Sequence, residues 1–409
     1  MTTGQGVSAP PATYRRLLRV PGFRQLLISS LLTRTAAQMW TVGLIIFALQ
    51  RYHSPSVAGV SLFLLIFPGL LLSPIAGALL DRHGRKRLMT LDFVIAAVCL
   101  TVIVLLAGAG RLPVWGLYAL LVGGSLTSTL SIAGARSFFP SIIPRDMWDR
   151  GNAADSVLYG VANIAGPGLA GALIATISSE AALAGAAVAY LAGAVALQGV
   201  PEPARSDEVS GRILYEAWRG LRYVVTNRTL RWIAVSFSTL NVGWGMVIVA
   251  LPVIVFHLHG NAAVVGLMLA LAGLAGIPAA LVAGRIRTEG RERESMAVFG
   301  VIMGIAVLAL LVPSLPLIAL GIAIAGGADA ASSVSAFSLR QRCTPRAWFG
   351  RAFAVAMAFN FSGVPIGSAL AGPVLGVSTT FAILVAAGLT LGASVVMRLK
   401  IPASDAAVA

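Results

Sequence analysis

The chain has 409 residues, 57% of them hydrophobic and only 11% charged, with 30 Lys and Arg against 15 Asp and Glu for a formal net charge of +15. Soluble globules carry about 25% charged residues, so this composition excludes a water-soluble fold, and with it disordered, collagen-like and disulfide-built classes. Long apolar stretches recur from about residue 26 to residue 398, which is the pattern of a polytopic membrane protein.

A helix needs about 20 apolar residues to cross the hydrocarbon layer. The first such stretch follows an N-terminal arm, residues 1–25, with Arg15, Arg16, Arg19 and Arg24. Arm and stretch together look like a secretory signal, but the apolar run is too long and no small-residue cleavage site stands out. It is read as an uncleaved first span. In rough limits the spans are 26–50, 54–80, 88–110, 113–135, 152–177, 181–200, 232–256, 262–284, 296–313, 316–339, 352–375 and 379–397. The runs are continuous and do not alternate, so they predict helices and not barrel strands. Spans five and six are rich in Ala and Gly, residues that let helices approach closely in lipid. The longest connection, 201–231, holds Pro201, Pro203, a polar stretch and an amphipathic piece from Arg212 to Arg228. It separates a first six-helix bundle, 26–200, from a second, 232–398, with a tail at 399–409.

With both termini placed in the cytoplasm, 27 Lys and Arg fall on the cytoplasmic side and only Arg51 and Arg111 on the other, while Arg34 lies inside span one. Such a split follows the positive-inside rule. The excess of positive charge therefore describes topology, and no nucleic-acid partner is expected. Cys99 sits inside span three and Cys343 in a basic loop, so no disulfide is expected. His257 and His259, in a short external loop, read as solvated, and no metal or cofactor is expected.

The halves share landmarks. Gly77-Ala-Leu-Leu-Asp81-Arg82-His-Gly84-Arg85-Lys86-Arg follows span two, and Gly284-Arg-Ile-Arg-Thr-Glu-Gly290-Arg-Glu-Arg follows span eight. Pro144-Arg145 with Arg150 precedes span five, as Pro345-Arg346 with Arg351 precedes span eleven. At the same offset Gly166 and Gly171 match Gly367 and Gly372. Two parallel six-helix halves related by an axis along the membrane normal are a transporter architecture. The expected class is an all-α polytopic membrane protein with twelve helices in two pseudo-symmetric bundles and both termini cytoplasmic.

Gly77, Leu79, Asp81, Arg82, Gly84, Arg85 and Lys86 resemble the signature between the second and third spans of the major facilitator superfamily. Gly166-Pro167-x-x-Ala170-Gly171-x-Leu173 resembles the antiporter-associated motif of that superfamily's exporters, departing at Ala162 and Ala170. Glu216-Ala-Trp-Arg-Gly220-Leu-Arg-Tyr-Val224 with Leu230-Arg231, the Arg24 region and Ser54-Pro55 resemble the enterobactin-exporter and macrolide or multidrug efflux branch. The resemblance implies the major facilitator fold, a monomer in the bacterial inner membrane, and export of a small organic molecule by alternating access with protons as the coupling partner. It also implies that spans one and ten line a central cavity. Span four has no arginine before Arg136, although drug–proton antiporters of this superfamily often carry one there.

A two-half rocker needs a releasable latch. Asp81 can supply it against the N-terminal end of span eleven, where a helix dipole favours negative charge, or by pairing with Arg145 or Arg136. Arg82 and Arg85 belong to the same loop, and Gly77 and Gly84 permit close approach and a tight turn. Gly166, Pro167 and Gly171 predict a bend or small-residue packing in span five. Ionisable groups at membrane depth are costly and point to function. Arg34, nine residues into span one, is a candidate for an anionic substrate group or for the counter-ion of an acid. Asp329, midway through span ten, is a candidate proton carrier. Asp92 and Asp155, about one turn into spans three and five, are expected to pair with loop arginines or to carry protons. Gln38, Trp40, Asn163, Asn241, Trp244 and Asn360 are candidates to line a substrate site, with packing as the alternative.

An importer or a lysophospholipid flippase of the same superfamily is the alternative function. An intramembrane enzyme needs clustered acids, His or Cys at depth, and the four histidines are dispersed. A channel needs a filter-like loop or charged ring, and an ATPase a Gly-rich phosphate loop. Neither pattern occurs.

Overall fold

In lipid the backbone must satisfy its own polar groups, so each apolar run becomes one long helix. The computed structural model describes residues 14–202, 213–285, 290–344 and 349–402. In the first half, a short α1 (Tyr14–Leu17) precedes α2 (Phe23–Tyr52), α3 (Pro55–His83), α4 (Arg85–Gly108), α5 (Val114–Ile142), α6 (Trp148–Thr176) and α7 (Ser179–Gln198). The amphipathic piece of the central connection forms α8 (Ile213–Thr226). The second half holds α9 (Arg228–His257), α10 (Ala262–Arg285), α11 (Glu292–Val307), α12 (Leu315–Arg342), α13 (Phe349–Val377) and α14 (Thr379–Lys400).

Among the described residues, α2–α7 and α9–α14 are twelve helices long and apolar enough to cross a membrane. Several run past the limits read from hydropathy, because a helix continues through the headgroup layer with polar residues. The ninth span is the exception: α11 tightens into a 3-10 turn at Leu308–Leu311, just before Pro313.

The packing repeats. In the first half α2 packs on α6 and α7, α3 on α5, and α4 on α5 and α7; six spans later α9 packs on α13 and α14, α10 on α12, and α11 on α12 and α14. Two seams join the halves, α3 with α13 and α10 with α6, and they too are counterparts. This is a pseudo-two-fold arrangement of parallel repeats.

Small residues set the seams. A Cβ at Gly171 of α6 would stand 2.7 Å from the Ala262 carbonyl oxygen and 2.9 Å from Gly266 Cα of α10. On the other seam a Cβ at Gly372 of α13 would run into the Ser56 backbone of α3, and one at Gly59 into the Ser368 carbonyl. Gly171 and Gly372, matched by sequence offset, thus occupy equivalent seams. These contacts lie toward the end of the bundle opposite the termini. At the terminal end α8 contacts α3 of one half and α9 and α13 of the other.

Backbone this close leaves no room for a branched side chain. Gly266→Val is expected to lower stability by about 1–3 kcal/mol through overpacking, read as a lower melting temperature in detergent. An unchanged melting temperature would show that the α6–α10 seam tolerates separation.

Candidate functional site

Arg34 lies eleven residues into α2, about 16 Å along the axis at 1.5 Å per residue. Asp155 lies seven residues into α6, which starts at the same end of the bundle. Their side chains meet with Arg34 Nη2 2.7 Å from Asp155 Oδ1. Arg34 Nη1 also donates to the Asp155 carbonyl oxygen at 3.1 Å, and the guanidinium carbon stands 5.8 Å from the Tyr159 ring centroid. Oδ1 accepts no well-aligned hydrogen bond, so the contact is chiefly electrostatic. The side chains keep 21% and 30% of their exposure, so the pair is neither sealed nor fully wet.

One turn deeper, Gln38 Nε2 donates to Asn163 Oδ1 at 2.6 Å. Gly166 makes this possible. A Cβ there would collide with Gln38 Cβ and stand 3.1 Å from the Thr35 carbonyl, so only glycine lets α6 lie close enough to α2. Pro167 lacks an N–H and cannot donate to the Asn163 carbonyl one turn earlier. That carbonyl faces Gly273 of α10, where a Cβ would come within 3.3 Å. The helix runs unbroken through Pro167, and its glycines act by close packing on α2 and α10.

The second half repeats the device on its own first and fifth helices. Asn241 Nδ2 of α9 donates to Asn360 Oδ1 of α13 at 2.9 Å and to the Phe237 carbonyl at 2.9 Å. Gly363 stands where a Cβ would be 2.7 Å from Asn241 Cβ. For this contact Gly363, rather than Gly367, is the counterpart of Gly166. The match from sequence spacing is one helical turn off, because the amide pair, and not the motif's register, sets where the helices touch.

The remaining candidates separate. Trp244 is partly buried and packs against two apolar clusters, one of the second half and one shared by both halves. Trp40 is 3% exposed, edge-on to Tyr190, and belongs to the core. Asp329 sits midway along α12, partly exposed, and no hydrogen bond or ion pair joins it to a described residue. Arg34 therefore pairs with Asp155 and not with Asp329.

Two expectations are corrected. Asp155 does not pair with a loop arginine: eight residues before Asn163, it faces α2, and Arg34 is the cation there. Asp92 also has no loop arginine as a partner among the described residues. It is 3% exposed and faces Thr127 and Ser131 of α5, because α4 turns that side toward α5 and α7.

Of the latch residues, Gly77, Asp81, Arg136 and Arg145 lie outside the residues whose side chains are described. Arg82 is exposed and Arg85 partly buried. Gly84 joins α3 to α4 with φ +93°, a backbone conformation that favours glycine. Sequence reasoning missed the work of its neighbour Lys86. The Lys86 ammonium donates to the carbonyls of Gln198 at 2.5 Å and Val200 at 3.0 Å, capping the C-terminus of α7. The Lys86 amide in turn donates to Glu202 Oε1 at 3.3 Å, which puts an acid at the N-terminus of α4. Each charge sits at the helix end that its sign favours. The only sequence signal was a lysine in the motif and a glutamate just past span six. Arg340, counted as a loop cation, is 3% exposed and lies 5.5 Å from the Phe237 ring centroid.

Among the described residues no group of three or more His, Cys, Asp and Glu is placed to hold a metal. A hollow of about 310 Å³ between α10, α11 and α12 is lined by Ala, Gly, Phe and Ile only, and none of the polar residues above borders it. The polar groups thus lie where α2 meets α6 and where α9 meets α13, with Asp329 apart on α12. Among the described candidates they are one ion pair, two amide pairs and a lone carboxyl.

A family model described as transmembrane secretion effector matches residues 15–409. An uncharacterized MFS-type transporter, y4rN, of Sinorhizobium fredii is 35% identical over 403 residues, covering 95% of this chain and 97% of that protein. The enterobactin exporter EntS of Citrobacter koseri is 25% identical over 363 residues, 86% of this chain and 85% of that one. Among solved structures, a bacterial homologue of the iron transporter ferroportin in an inward-facing state superposes with a TM-score of 0.68 at 20% identity, covering 93% of this chain and 98% of that chain.

Removing one member of a partly buried ion pair strands the other. Arg34→Met and Asp155→Leu are each expected to destabilise the protein, and the double variant to recover part of the loss. The coupling energy should be about 0.5–3 kcal/mol in a double-mutant cycle. Strict additivity would show that the two groups do not act on each other.

Proposed function

Because the chain belongs to the transmembrane secretion effector family of major facilitator transporters, which are not enzymes, we propose that it exports a small organic molecule, drug- or siderophore-like, in exchange for protons. The protein is a multi-pass protein of the bacterial inner membrane. The 27-to-2 distribution of Lys and Arg supports an orientation with both termini in the cytoplasm. In that orientation the close seams between the halves seal the outer side, and substrate enters from the cytoplasm. Alternating access then follows from rocking the two halves about the walls that carry the polar residues. A single copy contains both walls, so a monomer suffices.

The observation that carries this reading is the Arg34–Asp155 pair at membrane depth. Substrate and proton compete for the Asp155 carboxylate. A hydrogen-bond-donating or positively charged group of the substrate takes the place of the Arg34 guanidinium on it. A proton on Asp155 neutralises the carboxylate and releases that group, and loss of the proton restores the ion pair. Binding of one or the other, never both, is the physical content of antiport. The amide pairs Gln38–Asn163 and Asn241–Asn360 supply neutral donors and acceptors on opposite walls. Asp329, with no cation paired to it among the described residues, is a second group that can take up a proton during the cycle. The latch reading for Asp81 with Arg82, Arg85, Arg136 and Arg145 belongs to the same proposal, as the contact that holds the cytoplasmic end shut when the outer side opens. The name of one relative supports the outward direction. EntS is named for enterobactin export, and its similarity runs over 86% of this chain and 85% of EntS.

The test is a substrate panel in everted vesicles, with and without a collapsed pH gradient. Accumulation of at least one compound should fall at least tenfold when the gradient is dissipated. Asp155→Asn should leave the protein in the membrane but make any residual transport indifferent to the gradient. A wild-type response of Asp155→Asn would remove the competition mechanism. Asp329→Asn is expected to weaken or abolish gradient-driven transport, and an unchanged proton response in proteoliposomes would exclude Asp329 from coupling.

A further inference from the structure

Helix α8 has no part in the transport cycle described above. It is joined to α9 by Asn227 alone, whose side chain accepts the Leu230 N–H at 3.0 Å and caps α9. One residue cannot carry the chain away from the surface where α9 enters the bilayer, so α8 lies at that level. The side chains described on it, from Trp218 onward, divide into two faces. On the inner face Val224 is 2% exposed and packs with Leu230, Ala234 and Ala356. On the outer face Trp218, Arg222 and Val225 recur at the spacing of one helical face. Trp218 is 62% exposed, Val225 is 46% exposed, and Arg222 is exposed as well. Close by in the chain, Trp232 has the Arg231 guanidinium 5.7 Å and the Lys400 ammonium 5.9 Å from its ring centroid.

A face that mixes tryptophan, valine and arginine suits neither bulk water nor hydrocarbon. It suits the headgroup layer, where indole rings settle and basic side chains meet lipid phosphates. We propose that the outer face of α8 is a docking surface for anionic lipid headgroups, with Trp218 and Val225 in the interface and Arg222 on phosphate. Charge complementarity selects this occupant, since this end of the bundle carries nearly all of the loop Lys and Arg. Because α8 touches α3 of one half and α13 of the other, the docked lipid anchors the helix across the seam between them.

The test uses the full chain in nanodiscs with Cys99→Ala, Cys343→Ser and Val225→Cys, spin-labelled at position 225. Discs of phosphatidylcholine alone are compared with discs that also contain phosphatidylglycerol. Accessibility of the label to a water-soluble relaxant should fall at least threefold when the anionic lipid is present. High salt should reverse that fall, and Arg222→Gln or Arg222→Glu should abolish it. Equal accessibility in both lipids would overturn the proposal. So would a label shielded in both lipids and in detergent, which would mean that another protein surface, such as a second copy, covers the face.

Discussion

In hydrocarbon no hydrophobic force pulls one helix against another, so helix contact depends on how closely backbones can approach. The glycines at 166, 171, 266, 363 and 372 meet that constraint, each at a position where a Cβ would strike a neighbouring helix. Seams between the halves and walls within them both depend on it. So does the polar chemistry, because Gln38 reaches Asn163, and Asn241 reaches Asn360, only where glycine has brought two helices together. Packing and site are therefore one design.

Polarity on the two walls is sparing and paired. Arg34 has Asp155 and a Tyr159 ring, and each amide has a partner on the adjacent helix. The pairing keeps these groups tolerable in a medium that penalises lone polar groups. In the proposed cycle a substrate replaces an existing interaction rather than filling a vacant one. The two walls carry different chemistry, charged plus amide on α2–α6 and amide alone on α9–α13. The near-symmetry of the fold therefore does not extend to the polar groups on the two walls.

At the terminal end the charges do more than set topology. Lys86 and Glu202 cap opposite ends of α7 and α4 and tie the first residues of the central connection to the loop after α3. Arg340 leaves the solvent for an aromatic face. Helix α8 closes the same region by crossing from one half to the other. A basic residue counted by the positive-inside rule can thus also cap a helix, stack on a ring or meet a lipid.

Number, length and order of the spans were legible in the chain because hydropathy is a local property and the bilayer fixes the length of each helix. The duplication was legible too, since equivalent helices need glycine at equivalent seams, as Gly171 and Gly372 show. Asn241 and Asn360 stood out as polar groups in apolar spans, but nothing local to either indicated that they were partners. The same limit explains Asp155, Asp92 and Gly363. Which residue faces which depends on the rotation and depth of two helices far apart in sequence, and a one-turn slip preserves every hydropathy pattern. Composition, hydropathy along the chain and the repeated landmarks determined that this protein lives in the membrane as two sets of six helices. Only tertiary packing decided which charges meet, because an ion pair is a relation between helices and hydropathy describes one helix at a time.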